Sequence, residues 1–149
     1  MDLSQFSTAK QAEEGAVLTL VNEYGEPMVD PKNGQPVTIT LLGRDGEKYQ
    51  KHLLARQDRR LKDLQRGKKY TPPTSTEMYD EELERSALCT ISWTNIDKDG
   101  VEVKCTYENA LELYGTNRYV AEQVESFIAD RSNFFTKRAK PLSTTTDGQ

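Results

Sequence analysis

The chain of 149 residues lacks long apolar runs, and it has few of the residues that metal and catalytic sites use, with one histidine and two cysteines. No segment approaches the about 20 apolar residues that a membrane-spanning helix needs, so we expect no membrane partner. The N-terminal segment has neither the basic nor the apolar region of a signal peptide. We therefore expect an intracellular protein in which Cys89 and Cys105 are reduced thiols.

The same scarcity argues against catalysis. His52 is the single histidine, and Cys89 and Cys105 are sixteen positions apart, so no set of metal ligands has a suitable spacing. The sequence has no glycine-rich phosphate loop and no nucleophile elbow. Glu81 and Glu82 are adjacent, and adjacent helix residues do not face each other. We expect no enzyme, with no catalytic residue, no cofactor and no metal.

Composition and polarity divide the chain into three parts. Hydrophobic residues make up 35% of the chain, which allows one modest core, and the net charge of -4 argues against a general affinity for nucleic acid. Residues 1–15 are polar without a clear period, and they predict a flexible arm. Residues 137–149 have the composition of a disordered tail. Residues 16–136 between them predict a single domain.

Two runs rich in β-branched residues predict an antiparallel hairpin over 16–43. The first run covers 16–21, and in the second run Val37, Ile39 and Leu41 alternate with threonines, the period of a half-buried strand. The loop between the runs is rich in Gly, Pro, Asn and Asp. A lone hairpin is marginal in water, so it must pack on a helix or on a partner chain. An open strand edge would favour self-association.

The rest of the domain, 47–136, has helical periodicity. The first helix ends near Gly67, and its narrow apolar stripe consists of Tyr49, Leu53, Leu54, Leu61 and Leu64. Thr74 and Glu77 fit a capping box at the start of a second helix, which carries Trp93 at its end. Thr106 caps a third helix, and a fourth begins at Asn117. The predicted fold class is α+β: a mainly helical domain of about four helices, with an N-terminal antiparallel β-hairpin and a short second hairpin near 96–105.

The segment 95–106 poses a choice between an ion site and a turn. Asn95, Asp97, Asp99 and Gly100 match the opening half of an EF-hand loop. The twelfth position of such a loop needs a bidentate glutamate, and here it is Thr106. The Asp-Gly pair is also a strong signal for a two-residue hairpin turn. We therefore predict a hairpin and no calcium site.

The first helix is strongly basic. Residues 44–69 carry ten Lys and Arg against four Asp and Glu, a net charge of +6. This charge fits a contact surface for an acidic protein or a solvated helix face, and the two interpretations rank equally. Nucleic acid ranks below both, because no aromatic side chain lies between Arg56 and Arg66 to stack on bases and no helix-turn-helix or zinc spacing accompanies the charge.

Several short motifs follow one another between residues 16 and 135. A D-P-x-x-G bend lies between the first two strands and a G-x-D motif follows the second. A W-x-x-I pair precedes the short hairpin, and TYENALELY and Q-V-x-x-F-I-x-D-R-x-N-F lie in the last two helices. The residues concerned are Asp30, Pro31, Gly34, Gly43, Asp45, Trp93, Ile96, 106–114 and 123–134. In their order and spacing these motifs resemble the tail assembly chaperones of long-tailed (siphophage-type) phages.

This resemblance implies a non-enzymatic assembly factor. Such chaperones bind the long tape measure protein, keep it soluble, help to recruit the tail tube protein and leave before the virion is complete. The resemblance therefore implies a protein of the host cell cytoplasm that is absent from the mature virion. In many members a longer form of the same chain is made by ribosomal frameshifting. A structural or connector protein retained in the tail or neck is the alternative, and a nucleic-acid-binding accessory protein is a distant third.

The resemblance also suggests where a client would bind. A tape measure protein is largely long helix with an apolar stripe, which a groove between helices can cover. Our hypothesis is that the last helix and the 49–64 stripe form this groove, with the basic face adding charge complementarity. The candidate client-binding residues are Arg56, Arg59, Arg60, Leu61, Leu64, Val124 and Phe127. Burial in the core is the competing interpretation of the apolar ones, and we favour it for Phe127.

Overall fold

The computed structural model describes residues 1–135, and the predicted tail, 137–149, lies outside the described residues. The fold is α+β, as the sequence predicts. Five α-helices and five short strands are present in the described part of the chain. In chain order they are α1 (Thr8–Glu14), β1 (Ala16–Thr19), β2 (Thr38–Leu41), α2 (Glu47–Gln65), α3 (Ser75–Leu88), β3 (Thr90–Thr94), β4 (Asp97–Lys98), β5 (Val101–Glu102), α4 (Tyr107–Thr116) and α5 (Arg118–Ala129), with 3₁₀ turns at Leu3–Phe6 and Arg131–Phe134.

The main sheet has three antiparallel strands in the order β1-β2-β3. The predicted pairing of β1 with β2 is confirmed, and it occurs within one chain, with Leu18 opposite Ile39. The third strand corrects the sequence analysis, which placed Trp93 at the end of a helix. Trp93 lies instead on β3, opposite Ile39, because α3 ends at Leu88 and the following β-branched residues pair with β2.

The N-terminal segment is not a loose arm, and this prediction is wrong for its second half. Residues 8–14 form α1, on which Gln11 and Ala12 are buried. The helix packs closely on the chain after β2, because Gly43 has no side chain: a Cβ there would lie 2.8 Å from the Cβ of Ala12. The Gly43 N–H also donates to the Ala12 carbonyl at 2.9 Å. The contact between Ala12 and Gly43 involves no large apolar side chain, so the sequence shows no apolar periodicity that would predict it.

Local signals placed the ends of the other helices well. Gly67, with φ of 79°, follows the end of α2, and the capping box of Thr74 and Glu77 opens α3 with both hydrogen bonds present. Thr106 caps α4 by accepting from the Asn109 N–H at 3.1 Å. The last helix is shorter than predicted, because α5 ends at Ala129 and a 3₁₀ turn follows, capped by Asp130.

The core lies between the main sheet and helices α3, α4 and α5. Its largest fully buried side chains are those of Tyr114, Ile39, Leu41, Val124 and Cys89. The Tyr114 hydroxyl and the Thr90 hydroxyl share a hydrogen bond at 2.6 Å, so the buried polar atom of Tyr114 has a partner. Both cysteines are free thiols, and burial raises the pKa of Cys89 to about 12.

The second predicted hairpin is present. Strands β4 and β5 pair around the turn at Asp99 and Gly100, both of which have positive φ. The polar residues of this region hold the hairpin against the 22–37 loop, since Asp97 forms an ion pair with Lys32 at 3.2 Å and the Asn95 side chain donates to the Pro36 carbonyl at 2.8 Å. Within residues 1–135, no group of three or more His, Cys, Asp or Glu side chains is arranged to hold a metal ion.

Candidate functional site

Helix α2 is attached to α3 mainly through charged side chains. None of its 19 residues is fully buried. Arg60 donates to Glu81 at 2.6 Å, and Arg56 donates to Glu84 at 2.7 Å. These four side chains are only partly exposed, so their interactions are less screened than those of surface pairs. The face of α2 that meets α3 is therefore basic, and the face of α3 that receives it is acidic.

The single histidine belongs to this contact. His52 Nε2 lies 2.8 Å from the same Glu84 oxygen that accepts from Arg56, and its Nδ1 lies 3.4 Å from an Arg85 nitrogen. A neutral imidazole protonated on Nε2 satisfies both contacts, because it donates to Glu84 and accepts from Arg85. Burial raises the pKa of Glu84, but the hydrogen bonds from Arg56 and His52 outweigh this effect and leave the pKa below its usual value. His52 is thus part of the α2–α3 contact.

The side of α2 that faces away from α3 carries two exposed leucines among polar side chains. Successive helix residues are about 100° apart, so Leu54 and Leu61, seven residues apart, lie on one side and Arg56 and Arg60 on another. The exposed fractions are 54% for Leu54, 56% for Leu61 and 41% for Leu64. We call these three residues the leucine face, and Leu64 lies at its margin, nearer to Arg60 than to Leu54. Arg59 is exposed on a different side of α2, about 140–160° around the helix from each of the three leucines. It makes no ion pair or hydrogen bond with any residue of the described range.

The seven predicted client-binding residues therefore fall into three groups. Arg59, Leu61 and Leu64 are exposed on α2, whereas Arg56 and Arg60 are engaged with α3. The remaining two lie on α5, in a different part of the molecule.

The two α5 residues do not complete a groove with α2. Val124 is fully buried in the core, so the prediction that it contacts a client is wrong. Phe127 is half-buried and packs edge-on against Phe134, with ring centroids 5.7 Å apart. It lines clefts beside β1, and Leu64 lines a separate cleft with Arg60 and Tyr70. The groove that the sequence analysis predicted between the last helix and α2 is therefore absent from the described residues.

The side of α2 that faces α3 was not evident from the sequence. The predicted apolar stripe grouped Tyr49 and Leu53 with the leucine face, but these two residues are half-buried, and Tyr49 stacks under the Arg85 guanidinium at 5.3 Å. The seven-residue spacing of Leu54 and Leu61 is the signal that could have distinguished the leucine face from Tyr49 and Leu53. The partners of the basic residues, Glu81 and Glu84, had no signal beyond the acidic composition of α3.

One further cleft, of about 390 Å³, lies between the second hairpin and α4. Trp93 forms part of its wall, and its ring N–H donates to the Val103 carbonyl at 2.8 Å. The interpretation of Trp93 as a packing residue is compatible with this hydrogen bond and with its contact with the core. In the described part of the chain, no helix has the length and apolar character that crossing a membrane requires.

Comparisons with protein families, with curated proteins and with solved structures found no match to this chain.

Proposed function

We propose that this protein is a phage tail assembly chaperone that binds the tape measure protein and keeps it soluble. The observation that carries the proposal is the leucine face of α2, formed by Leu54, Leu61 and Leu64. These residues are about half exposed on a helix whose other side is occupied by ion pairs with α3. Such a face suits a client helix with an apolar stripe, which is the chemistry expected of a tape measure protein.

The expected strength of one contact is low. Burying a leucine side chain fully is worth roughly 1.5–3 kcal/mol, and these leucines have about half of that still to gain. Three of them would supply about 3 kcal/mol, which is below the roughly 4 kcal/mol of a millimolar complex. Several chaperones on one long client would reinforce one another, since linked sites can raise affinity by about 10²–10⁴. The proposal therefore predicts many copies on each client.

The basic residues have a smaller part in this proposal than in the sequence analysis. Arg56 and Arg60 already neutralise Glu84 and Glu81, and a client would have to displace those carboxylates to reach them. Arg59 is exposed, but it lies on a different side of α2 from the leucine face, so only a client that wraps around the helix would reach both. Recruitment of the tail tube protein, by this chain or by a longer frameshifted form, is part of the same proposal.

The test is co-expression with the tape measure protein encoded by the same phage. The double variant Leu54→Gln with Leu61→Gln should lose the soluble client, while its own thermal unfolding stays within a few degrees of the parent. Val101→Gln is the matched control, because Val101 is also exposed but lies on the second hairpin. If the double variant keeps the client soluble as well as the control does, the leucine face is not the binding surface.

Retention in the virion distinguishes the chaperone from a connector protein. We expect mass spectrometry of purified particles to detect the tape measure protein and to detect none of this chain. Stoichiometric amounts of the chain in the particles would favour the structural alternative.

A further inference from the structure

The outer edge of β1 carries backbone groups that pair with no strand of residues 1–135. In an antiparallel strand, successive residues direct their N–H and C=O groups to opposite sides. The Leu20 N–H donates to the Val37 carbonyl at 3.0 Å, which places the even-numbered residues toward β2. Val17, Thr19 and Val21 therefore direct their backbone groups away from the sheet, and β1 is an edge strand.

Helix α5 closes one end of this edge. The Val21 N–H donates to the Gln123 side-chain oxygen at 2.8 Å, and the Gln123 amide donates back to the Val21 carbonyl at 3.0 Å. Next to it, the Tyr119 hydroxyl donates to the Asn22 carbonyl at 3.0 Å. The Gln123 amide thus makes the pair of hydrogen bonds that a neighbouring strand would make.

The outward groups of Val17 and Thr19 have no such partner among residues 1–135. The Val17 side chain is also 59% exposed. Unpaired strand edges of this kind are templates for the addition of another strand.

A groove runs along the open part of the edge. One cleft of about 440 Å³ lies beside Leu18 and Thr19, and one of about 840 Å³ lies beside Ala16 and Val17. The two clefts share Phe127 and Asn133 in their walls. The half-buried ring of Phe127 therefore lies at the middle of the groove, where an apolar side chain of an added strand would meet it.

The charge of the groove differs between its two ends. Within the described part of the chain, the wall near Thr19 includes Glu122 and Asp130 and no Lys or Arg. The wall near Val17 includes both Lys10 and Glu14. An occupant with a Lys or Arg side chain at the Thr19 end would complement this distribution.

The geometry favours a single extended segment over a second copy of this chain. Helix α5 runs beside the outer edge, as its contacts with Val21 and Asn22 show. A second copy that paired through its own β1 would bring its own α5 to the same side of the joined sheet, where the first α5 already lies. A peptide strand carries no such helix.

We propose that the groove between β1 and α5 binds an extended peptide segment of a partner protein, which adds to the sheet as a strand beside Val17 and Thr19. The segment carries an apolar side chain against Phe127 and a Lys or Arg side chain toward Glu122 and Asp130. This site is separate from the leucine face of α2, so either proposal can fail without the other.

The probe is a synthetic, fluorescently labelled peptide of about nine residues that alternates Thr and Val, with a pair of lysines at one end; this length spans β1 with overhangs. Binding to the full chain is measured by fluorescence anisotropy. A peptide with glutamates in place of the lysines tests the charge. A peptide N-methylated at alternate residues tests the backbone hydrogen bonds. We expect the lysine peptide to bind and both others to bind at least about tenfold more weakly, the N-methylated one because it cannot form the backbone hydrogen bonds.

Two variants locate the binding. Thr19→Pro removes an outward N–H, and proline is tolerated on an edge strand where that group faces solvent. This variant should bind the lysine peptide about tenfold more weakly. Val17→Thr keeps the backbone groups, so its binding of the lysine peptide should be unchanged. Glu122→Lys should weaken the lysine peptide by about fivefold and strengthen the glutamate peptide, even if Thr19→Pro does not fold. Among residues 1–135, Glu122 forms an ion pair only with Arg118, on the surface.

Three results would overturn the proposal. The first is that the N-methylated peptide binds as tightly as the lysine peptide. The second is that Glu122→Lys leaves the preference for the lysine peptide over the glutamate peptide unchanged. The third is another occupant of the groove: light scattering that shows a dimer abolished by Thr19→Pro, or peptide binding that appears only when residues 136–149 are deleted. Apart from these three, failure of the lysine peptide itself to bind would also refute the proposal.

Discussion

Glu125 is a carboxylate on α5 that lies close to other negative charges. One of its oxygens is buried, and it has no hydrogen-bond partner among the described residues. Glu82 on α3 and Glu122 on α5 add repulsion, which Arg118 and Arg85 only partly offset. Burial, followed by these two carboxylates, raises the pKa of Glu125 to about 7 from an ordinary value of 4.5. We predict that Glu125→Gln stabilises the protein at alkaline pH.

The sign and size of this change in the free energy of unfolding follow from the folded and unfolded pKa values of Glu125. Below pH 4.5 the carboxyl is neutral in both the folded and the unfolded chain, so it has no effect on the free energy of unfolding. As the pH rises from 4.5 to 7, only the unfolded chain releases the proton, and stability is lost. The full shift would correspond to about 3 kcal/mol. Because the side chain is partly exposed, solvent screening reduces our expectation to about 1–2 kcal/mol above pH 7.

The assay is urea unfolding of parent and variant at several pH values. Glu125→Gln should raise the free energy of unfolding by about 1–2 kcal/mol at pH 8, and the difference should shrink toward zero as the pH falls to 4.5. Glu102→Gln is the matched control, because Glu102 is exposed on β5 and is not among the charges that raise the pKa of Glu125. It should change stability by less than about 0.5 kcal/mol. A difference at pH 8 that persists at pH 4.5, or that is no larger than the control, would refute the reasoning.

Three further predictions concern single contacts. Glu84→Gln should lower the free energy of unfolding by about 1–2 kcal/mol at pH 7, because Arg56 loses its charged partner, and by much less below the lowered pKa of Glu84. It should also speed hydrogen exchange in α2, and unchanged exchange would show that α2 is held in another way. Gln123→Ala should lower the free energy of unfolding in urea by about 1–2 kcal/mol, because Val21 loses both of its hydrogen bonds to the Gln123 amide. An unchanged free energy of unfolding would mean that water replaces the amide. Tyr114→Phe should lower Tm by a few degrees, since the Thr90 hydroxyl, which donates to the Ser86 carbonyl, loses its second hydrogen bond. An unchanged Tm would show that this bond contributes little.

Features that depend on neighbours three or four residues away were predictable. The capping box of Thr74 and Glu77, the cap at Thr106 and the Asp99-Gly100 turn all appear where the sequence placed them. Their hydrogen bonds close within one turn of chain, so local chemistry suffices to predict them. The β1–β2 pairing was also predictable, because two alternating runs separated by a turn-rich loop have few other partners.

Features that depend on distant contacts were not predictable. Residues 90–94 continue the apolar pattern of α3, and it is the open edge of β2 that recruits them into the sheet. Helix α1 carries no apolar period, and it is the absence of a side chain at Gly43 that allows it to pack. Both outcomes depend on what lies opposite the segment, which the segment's own residues do not encode.

By itself, the sequence determined the α+β class, both hairpins, the helix caps and the basic character of α2. The tertiary structure alone decided which side chains remain available to a partner. Val124 and Leu61 both recur at helical spacing, yet one is fully buried and the other is about half exposed. Arg59 and Arg60 are adjacent, yet only Arg60 pairs with Glu81. The physical reason is that a helix has several sides of similar composition, and only its packing against another element determines which side is covered.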